Sequence, residues 1–151
     1  MQERFERLRE TVDRMIEADR LHRAVCDREL SEIGIHRAQH RMLMHLYFHG
    51  DVPSQRELAR ELCITPAVVT VTLRKLESDG YVRRTSVTDD KRQLGVELTE
   101  SGRAVVGRTK VILDRVDRAM FDGFTEEELE TACQFYARIK ENLGKIGGNK
   151  I

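Results

Sequence analysis

The segment from Leu58 to Thr99 constrains this chain most, because helix punctuation and apolar spacing agree along its length. A short helix runs out near Leu62. Thr65-Pro66 opens another: threonine is a good N-cap, and proline suits the first turn, where its missing amide is not needed. Val69, Leu73 and Leu76 follow at four- and three-residue steps, the spacing of a buried stripe. Asp79-Gly80 closes that helix, since glycine readily takes the left-handed cap conformation. Tyr81 to Ser86 and Leu94 to Leu98 read as strands, joined by the polar loop from Val87 to Gln93. Gly95 marks a place for a bulge. Helix, tight turn, helix, strand, strand is the order of a helix-turn-helix with a wing. The β-branched run Val68-Val69-Thr70-Val71-Thr72 is a poor helix former, and a strand at 68–72 is the competing reading. Helix is preferred because the caps at both ends agree.

The remainder reads as helical. From residue 3 to about 30, Phe5, Leu8, Val12, Met15, Ile16, Leu21 and Val25 recur at three- and four-residue steps. That stripe has few neighbours in sequence to cover it, so it needs a partner surface. Gly34 punctuates. His36 to His49 forms a second helix with Met42, Leu43 and Leu46 inward and Gly50 as its stop. Ser54 and Glu57 make a capping box for the short third helix. Thr99 caps a long helix through about Asp122, with Val105, Val106, Ile112, Leu113, Val116 and Met120 inward. Thr125 and Glu128 form a second capping box. The last helix carries Leu129, Phe135, Tyr136, Ile139 and Leu143, and residues 147–151 read as a flexible tail. The expected fold class is mainly α with a small β-wing: about six helices and a two- to three-stranded sheet, in one structural domain.

At 151 residues the chain can bury one core. Its 26 basic and 26 acidic residues cancel, which argues against a nonspecific nucleic-acid coat. Local distribution still sets the field at a contact face, and Arg74, Lys75, Arg83, Arg84, Lys91 and Arg92 gather in the wing half. Cys26, Cys63 and Cys133 are far apart and odd in number, which fits a reducing cytoplasm better than a disulfide framework. No apolar run suggests a membrane span or a signal core. No paired carboxylates, nucleophile–base set or phosphate loop appears, so an enzyme is disfavoured and no cofactor is expected.

Helical geometry puts Thr65, Pro66, Ala67, Thr70, Val71 and Arg74 on the exposed side of the fourth helix. The plain reading is a solvated face. The sharper one is DNA major-groove contact: Thr65 and Thr70 reach phosphates or bases, Ala67 and Val71 match thymine methyls, and Arg74 suits guanine or phosphate. Lys75 and Arg84 are phosphate candidates, and Gln55 and Arg56 can touch the DNA backbone.

These residues together resemble the MarR/SlyA family of bacterial winged-helix transcriptional regulators. The resemblance rests on Ala38-Gln39, Glu57-Leu58-Ala59, Val69-Thr70, Leu76-Glu77 and Gly80-Tyr81-Val82-Arg83-Arg84. Its most specific element is Asp90-Lys91-Arg92 followed by Val96-Glu97-Leu98-Thr99. It covers about Gly34 to Gly102 well, and the rest by helix pattern. It implies an intertwined homodimer, with residues 1–33 and 103–146 as dimerisation helices and 34–102 as the DNA-binding region. A two-fold dimer sets its recognition helices about one DNA turn apart, on a pseudo-palindromic operator. The implied function is a repressor of transcription, relieved by a small-molecule effector. The resemblance also makes the wing tip a contact, with Arg92 in a narrow minor groove, Asp90 holding it in the unbound state and Lys91 beside it. Many such regulators carry arginine where Val71 stands, so this helix implies less guanine reading.

Three alternatives accompany that reading. A winged helix can serve protein–protein assembly with little DNA affinity. His36/His40 and His45/His49 have the i, i+4 spacing of a chelating pair, as in zinc-sensing relatives, but the acidic partners of that set are not reproduced, and no metal site is assigned. His40, with His36, is instead a candidate for lining an effector pocket, or a packed core histidine. Cys26 or Cys63 can serve as a redox sensor, although Cys26 lies late in its helix and Cys63 replaces the usual Gly or Ser. Buried, inert thiols are the favoured reading for both.

Overall fold

A computed structural model describes residues 2–50, 55–84 and 95–147. The elements are α1 (Gln2–Ser31), α2 (Arg37–His49), α3 (Gln55–Glu61), α4 (Pro66–Ser78), β1 (Val82–Arg84), β2 (Val96–Leu98), α5 (Glu100–Met120) and α6 (Glu126–Gly147). Residues 68–72 lie inside α4, so helix prevails over strand. The reason is visible at both ends. Thr65 Oγ1 accepts from the Val68 amide at 3.3 Å, and Gly80 takes φ +76 beyond the C-terminus. Val69, Thr72, Leu73 and Leu76 are buried between those ends. Tertiary burial outweighs the propensity cost of the β-branched run.

β1 and β2 pair antiparallel with Val82 opposite Leu98, Arg83 opposite Glu97 and Arg84 opposite Val96. Among the described residues the sheet has two strands, shorter than expected. Residues 85, 86 and 94, expected as strand ends, lie outside the described residues, as does Ser54 of the first capping box. The second box is formed: Thr125 N donates to Glu128 Oε2 at 2.8 Å, and Glu128 N donates to Thr125 Oγ1 at 3.2 Å.

One continuous core joins α2, α3, α4, the sheet and the start of α5, around Ile35, Met42, Leu43, Leu58, Leu73, Leu76 and Val96. Gln39 and Thr72 are polar groups buried with it. Gln39 Oε1 accepts from the His36 amide at 2.9 Å, capping α2, and Nε2 donates to Asp79 Oδ2 at 3.3 Å, tying α2 to the end of α4. Gly102, in the first turn of α5, lies against the Tyr81 carbonyl: a Cβ there would stand 2.0 Å from that oxygen.

The outer helices differ. α1 buries only Cys26 and Leu30, near its C-terminus, while Phe5, Leu8, Ile16 and Leu21 are exposed. α5 buries Val105, Val106 and Val116, but Met120, expected inward, is exposed because α5 outruns the core. In α6 the apolar stripe Phe135, Tyr136, Ile139 and Leu143 faces solvent. No helix among the described residues is long and apolar enough to cross a membrane.

Candidate nucleic-acid interface

The α3–α4 corner is built by backbone hydrogen bonds. Cys63 takes φ +51, its amide donates to Arg60 O at 3.2 Å, and the Ile64 amide donates to Ala59 O at 2.9 Å. This is a Schellman ending with cysteine at the left-handed position. It turns the chain sharply, so α4, capped by Thr65, begins at Pro66 with one face in the core and the other outward.

Helical spacing of 100° per residue sets Ala67, Val71, Arg74 and Ser78 opposite the buried Val69, Thr72, Leu73 and Leu76. Thr65, Pro66, Ala67, Val71 and Arg74 are exposed, as read from the sequence. Val68, not singled out there, is exposed too and flanks Val71. Thr70 is half-buried. Its Oγ1 lies 3.1 Å from the Pro66 carbonyl and 3.2 Å from Gln55 Oε1, so its single proton is committed within the protein. Gln55 thereby braces α3 against α4.

The basic residues divide into paired and unpaired. Lys75 Nζ sits 2.7 Å from Asp79 Oδ1, and Arg84 Nε 3.5 Å from Glu77 Oε2. Arg83 pairs with Glu97 across the strands. Exposed pairs like these are weak and exchange readily for phosphate. Arg74 and Arg56 have no ion-pair partner among the described residues and stand exposed. Asp90, Lys91 and Arg92 of the wing tip lie outside the described residues.

His36 is exposed at the start of α2. His40 is half-buried, burial holds its pKa below the ordinary value, and its Nδ1 is buried without a hydrogen-bond partner among the described residues. Neither histidine lines the cleft of about 700 Å³ between α1 and α5, whose walls include Leu21, His22, Val25, Arg28, Arg115 and Met120. Arg28 Nη2 lies 2.9 Å from Glu29 Oε1, Arg115 pairs with the other oxygen, and the Arg28 hydrogen bond leads in holding the Glu29 carboxyl below its usual range. Sequence reasoning missed this Arg28–Glu29–Arg115 group, which joins residues 86 positions apart with no periodicity to announce it.

His45 Nε2 is 3.2 Å from Glu61 Oε2 and its ring lies 4.7 Å from that of His49, yet the described residues hold no cluster of three or more His, Cys, Asp or Glu fit for a metal. Cys26 is buried beside His22, and burial raises its thiol pKa. Cys63 is exposed, against the expectation of a buried thiol: the left-handed turn carries its side chain outward.

Comparison with known proteins agrees with this architecture. Residues 33–93 match the family model described as the MarR family. An uncharacterized HTH-type transcriptional regulator, YdgJ of Bacillus subtilis, is 33% identical over 104 residues, covering 69% of this chain and 63% of that relative. The chain thus spans less than two thirds of that relative's length. The crystal structure of the transcriptional regulator PA3341 superposes with a TM-score of 0.75 at 32% identity, covering 89% of this chain and 98% of that one. A mutant MarR from E. coli complexed with operator DNA superposes with a TM-score of 0.73, covering 85% of this chain and 93% of that one; at 22% identity that likeness is one of fold. With a winged helix-turn-helix built on the α3–α4 corner and these matches across it, the chain belongs to the MarR family.

Proposed function

We propose that this protein is a sequence-specific regulator of transcription that binds double-stranded DNA as a homodimer. The observation that carries the reading is the outward face of α4. Its residues opposite the core are small or basic, and Arg74 has no ion-pair partner among the described residues. Such a face fits a major groove, with Arg74 on guanine or phosphate and Thr65 on phosphate. Gln55, Arg56, Lys75 and Arg84 flank it as backbone contacts. Arg92, held by Asp90 in the unbound state, completes the contact from the wing in a minor groove, with Lys91 beside it as a further contact.

The dimer is supported by the apolar faces of α1, α5 and α6, which the chain itself leaves open. Residues 1–33 and 103–146 supply that interface, and 34–102 the DNA-binding heads. A two-fold pair then reads a pseudo-palindrome and excludes polymerase, as a repressor does. Release follows if a small ligand stabilises a different spacing of the heads. The α1–α5 cleft, apolar at Leu21, Val25, Val116 and Met120 and edged by Arg28, Arg115, Glu29 and Glu32, suits a largely apolar ligand with a polar end. His40 and His36, the effector-pocket candidates of the sequence, stand outside that cleft.

A mobility-shift assay on the promoter of the protein's own gene, run across a salt series, tests the reading. Retardation that weakens steeply with salt is expected. No retardation at ~50 mM salt would overturn it in favour of an assembly module, a role that zero net charge would suit.

A further inference from the structure

α4 exposes valines where folding has no use for them. Val71 is 67% exposed and Val68 40%, and both are β-branched, so alanine at either position would serve the helix better. Val71 lies on the outward face with Ala67 and Arg74, and Val68 flanks it. Meanwhile the threonine beside them is turned inward. Thr70 commits its single proton within the protein, to Pro66 and Gln55. The middle of the outward face is therefore an apolar patch bordered by Arg74, which has no ion-pair partner among the described residues.

We propose that Val68 and Val71 are specificity-determining residues that read the C5-methyl group of thymine in each half-site. This rests on the DNA-binding reading above and names the chemistry that face selects. The major-groove edges of guanine, adenine and cytosine present donors and acceptors, which an isopropyl group would desolvate without pairing. The thymine methyl is the apolar group displayed in that groove, and contact with it removes two apolar surfaces from water. Arg74, on the same face, supplies the charge complement to a neighbouring phosphate or guanine, which holds the valines against the base edges.

The test uses the full chain and a pool of random duplexes containing dT. Sites are enriched, and the winning duplex is remade with deoxyuridine, which lacks only the C5-methyl, in place of dT. Half-sites rich in dT·dA are expected. One buried methyl is worth about a fourfold change in affinity. Complete replacement across both half-sites should therefore weaken binding by about tenfold or more. The double variant Val68→Ala, Val71→Ala, which removes methyls from an exposed helix face and so still folds, should lose most of the difference between the two duplexes. Equal binding of dT and deoxyuridine duplexes overturns the inference while leaving the regulator reading intact. So does a double variant that keeps the full difference. Preference for 5-methyl-dC over dT in a pool holding both overturns the assignment to thymine. Enrichment of no duplex at all overturns the regulator reading, and this inference with it.

Discussion

In the winged-helix region the large apolar side chains are closed off from water: Leu58 and Leu76 are 0% exposed, and Leu73 and Val96 1%. In α6, Phe135 and Tyr136 are 56% exposed and Leu143 57%. The same contrast runs inside one helix, since α1 buries Leu30 near its C-terminus and exposes Phe5, Leu8 and Ile16 toward its N-terminus. One region satisfies its hydrophobic pattern within the chain. The other has an equally regular pattern with nothing of its own to cover it, and it is the surface that the proposed dimer would close. The winged helix should therefore respond to mutation as a folding unit, and the outer helices as a binding surface.

Leu73→Ala attacks the closed region and carries the largest expected effect. It should lower the unfolding free energy by about 2–5 kcal/mol, read from urea denaturation, because the packed site cannot fully collapse around the missing atoms. Phe135→Glu attacks the open region. It should weaken the proposed dimer by about 30-fold or more, seen as a shift to monomer in sedimentation, as expected for an aromatic anchor at an interface centre. Its helix content should stay close to wild type. If Phe135→Glu unfolds a chain that is monomeric at every concentration, the comparison between the regions collapses.

Gly102→Ala probes the seam where they meet. Its Cβ would stand 2.0 Å from the Tyr81 backbone oxygen, which also accepts the Thr99 amide at 3.1 Å. Neither atom is a flexible end that can move aside, so a loss of about 1–3 kcal/mol is expected in the same denaturation experiment. Wild-type stability in this variant would mean that α5 shifts freely against the wing, and that the seam is not rigid.

What the sequence disclosed follows the same division. Caps and local periodicity act over a few residues, so α4 was legible despite Val68–Thr72, and so were Thr65, Thr99 and the Thr125–Glu128 box. The long stripe of α1 was legible too, and most of it lies open in the folded chain. Met120 misled because periodicity reports a face and not how far the core extends beneath it. Cys63 misled because thiol burial is a residue-type average, while its exposure follows from a backbone turn. Gly102 and the Arg28–Glu29–Arg115 group depend on approach between distant segments, which no local pattern encodes. On the candidate site, the outward residues of α4 were legible from 100° spacing. The engagement of Thr70 by Gln55 was not.

Acid should act first on the closed region. Burial lowers the pKa of His40 from the ordinary 6.5, and burial likewise leads in lowering that of His45, against the opposing pull of Glu61. The unfolded chain then takes up protons more readily than the folded one between the folded pKa and 6.5. The stabilisation is complete above about pH 6.5 and is lost as pH falls through that window. Asp27 and Glu29, on α1, are held below their ordinary 3.8 and 4.5 by Arg37 and Arg28 respectively, so their contribution is lost only at more acid pH. Melting temperature should fall between about pH 7.5 and 5.5, and His40→Leu should flatten that fall. An unflattened curve would move the response to His45.

The smallest expected effect is a gain, and the chain supplies its own control. Three helices end in the same hydrogen-bond pattern. After α1, Gly34 at φ +72 donates to Ser31 O at 3.0 Å, and Ile35 to Leu30 O at 3.1 Å. After α4, Gly80 at φ +76 donates to Glu77 O at 3.0 Å, and Tyr81 to Leu76 O at 2.9 Å. After α3 the left-handed position is Cys63, at φ +51. A side chain there costs about 1–2 kcal/mol, and glycine's extra freedom in the unfolded chain takes back about 0.5–1 kcal/mol. Because the thiol is exposed, Cys63→Gly forfeits little burial. The net expectation is a stabilisation of under about 1 kcal/mol, or a rise of at most about 2–4 °C in melting temperature. The sign of that shift separates two kinds of turn. A rise means that the α3–α4 corner is held by the same backbone geometry as the other two helix ends. A fall would mean that the cysteine itself holds the corner, with its Sγ, 3.7 Å from the Arg60 carbonyl, as the atom responsible.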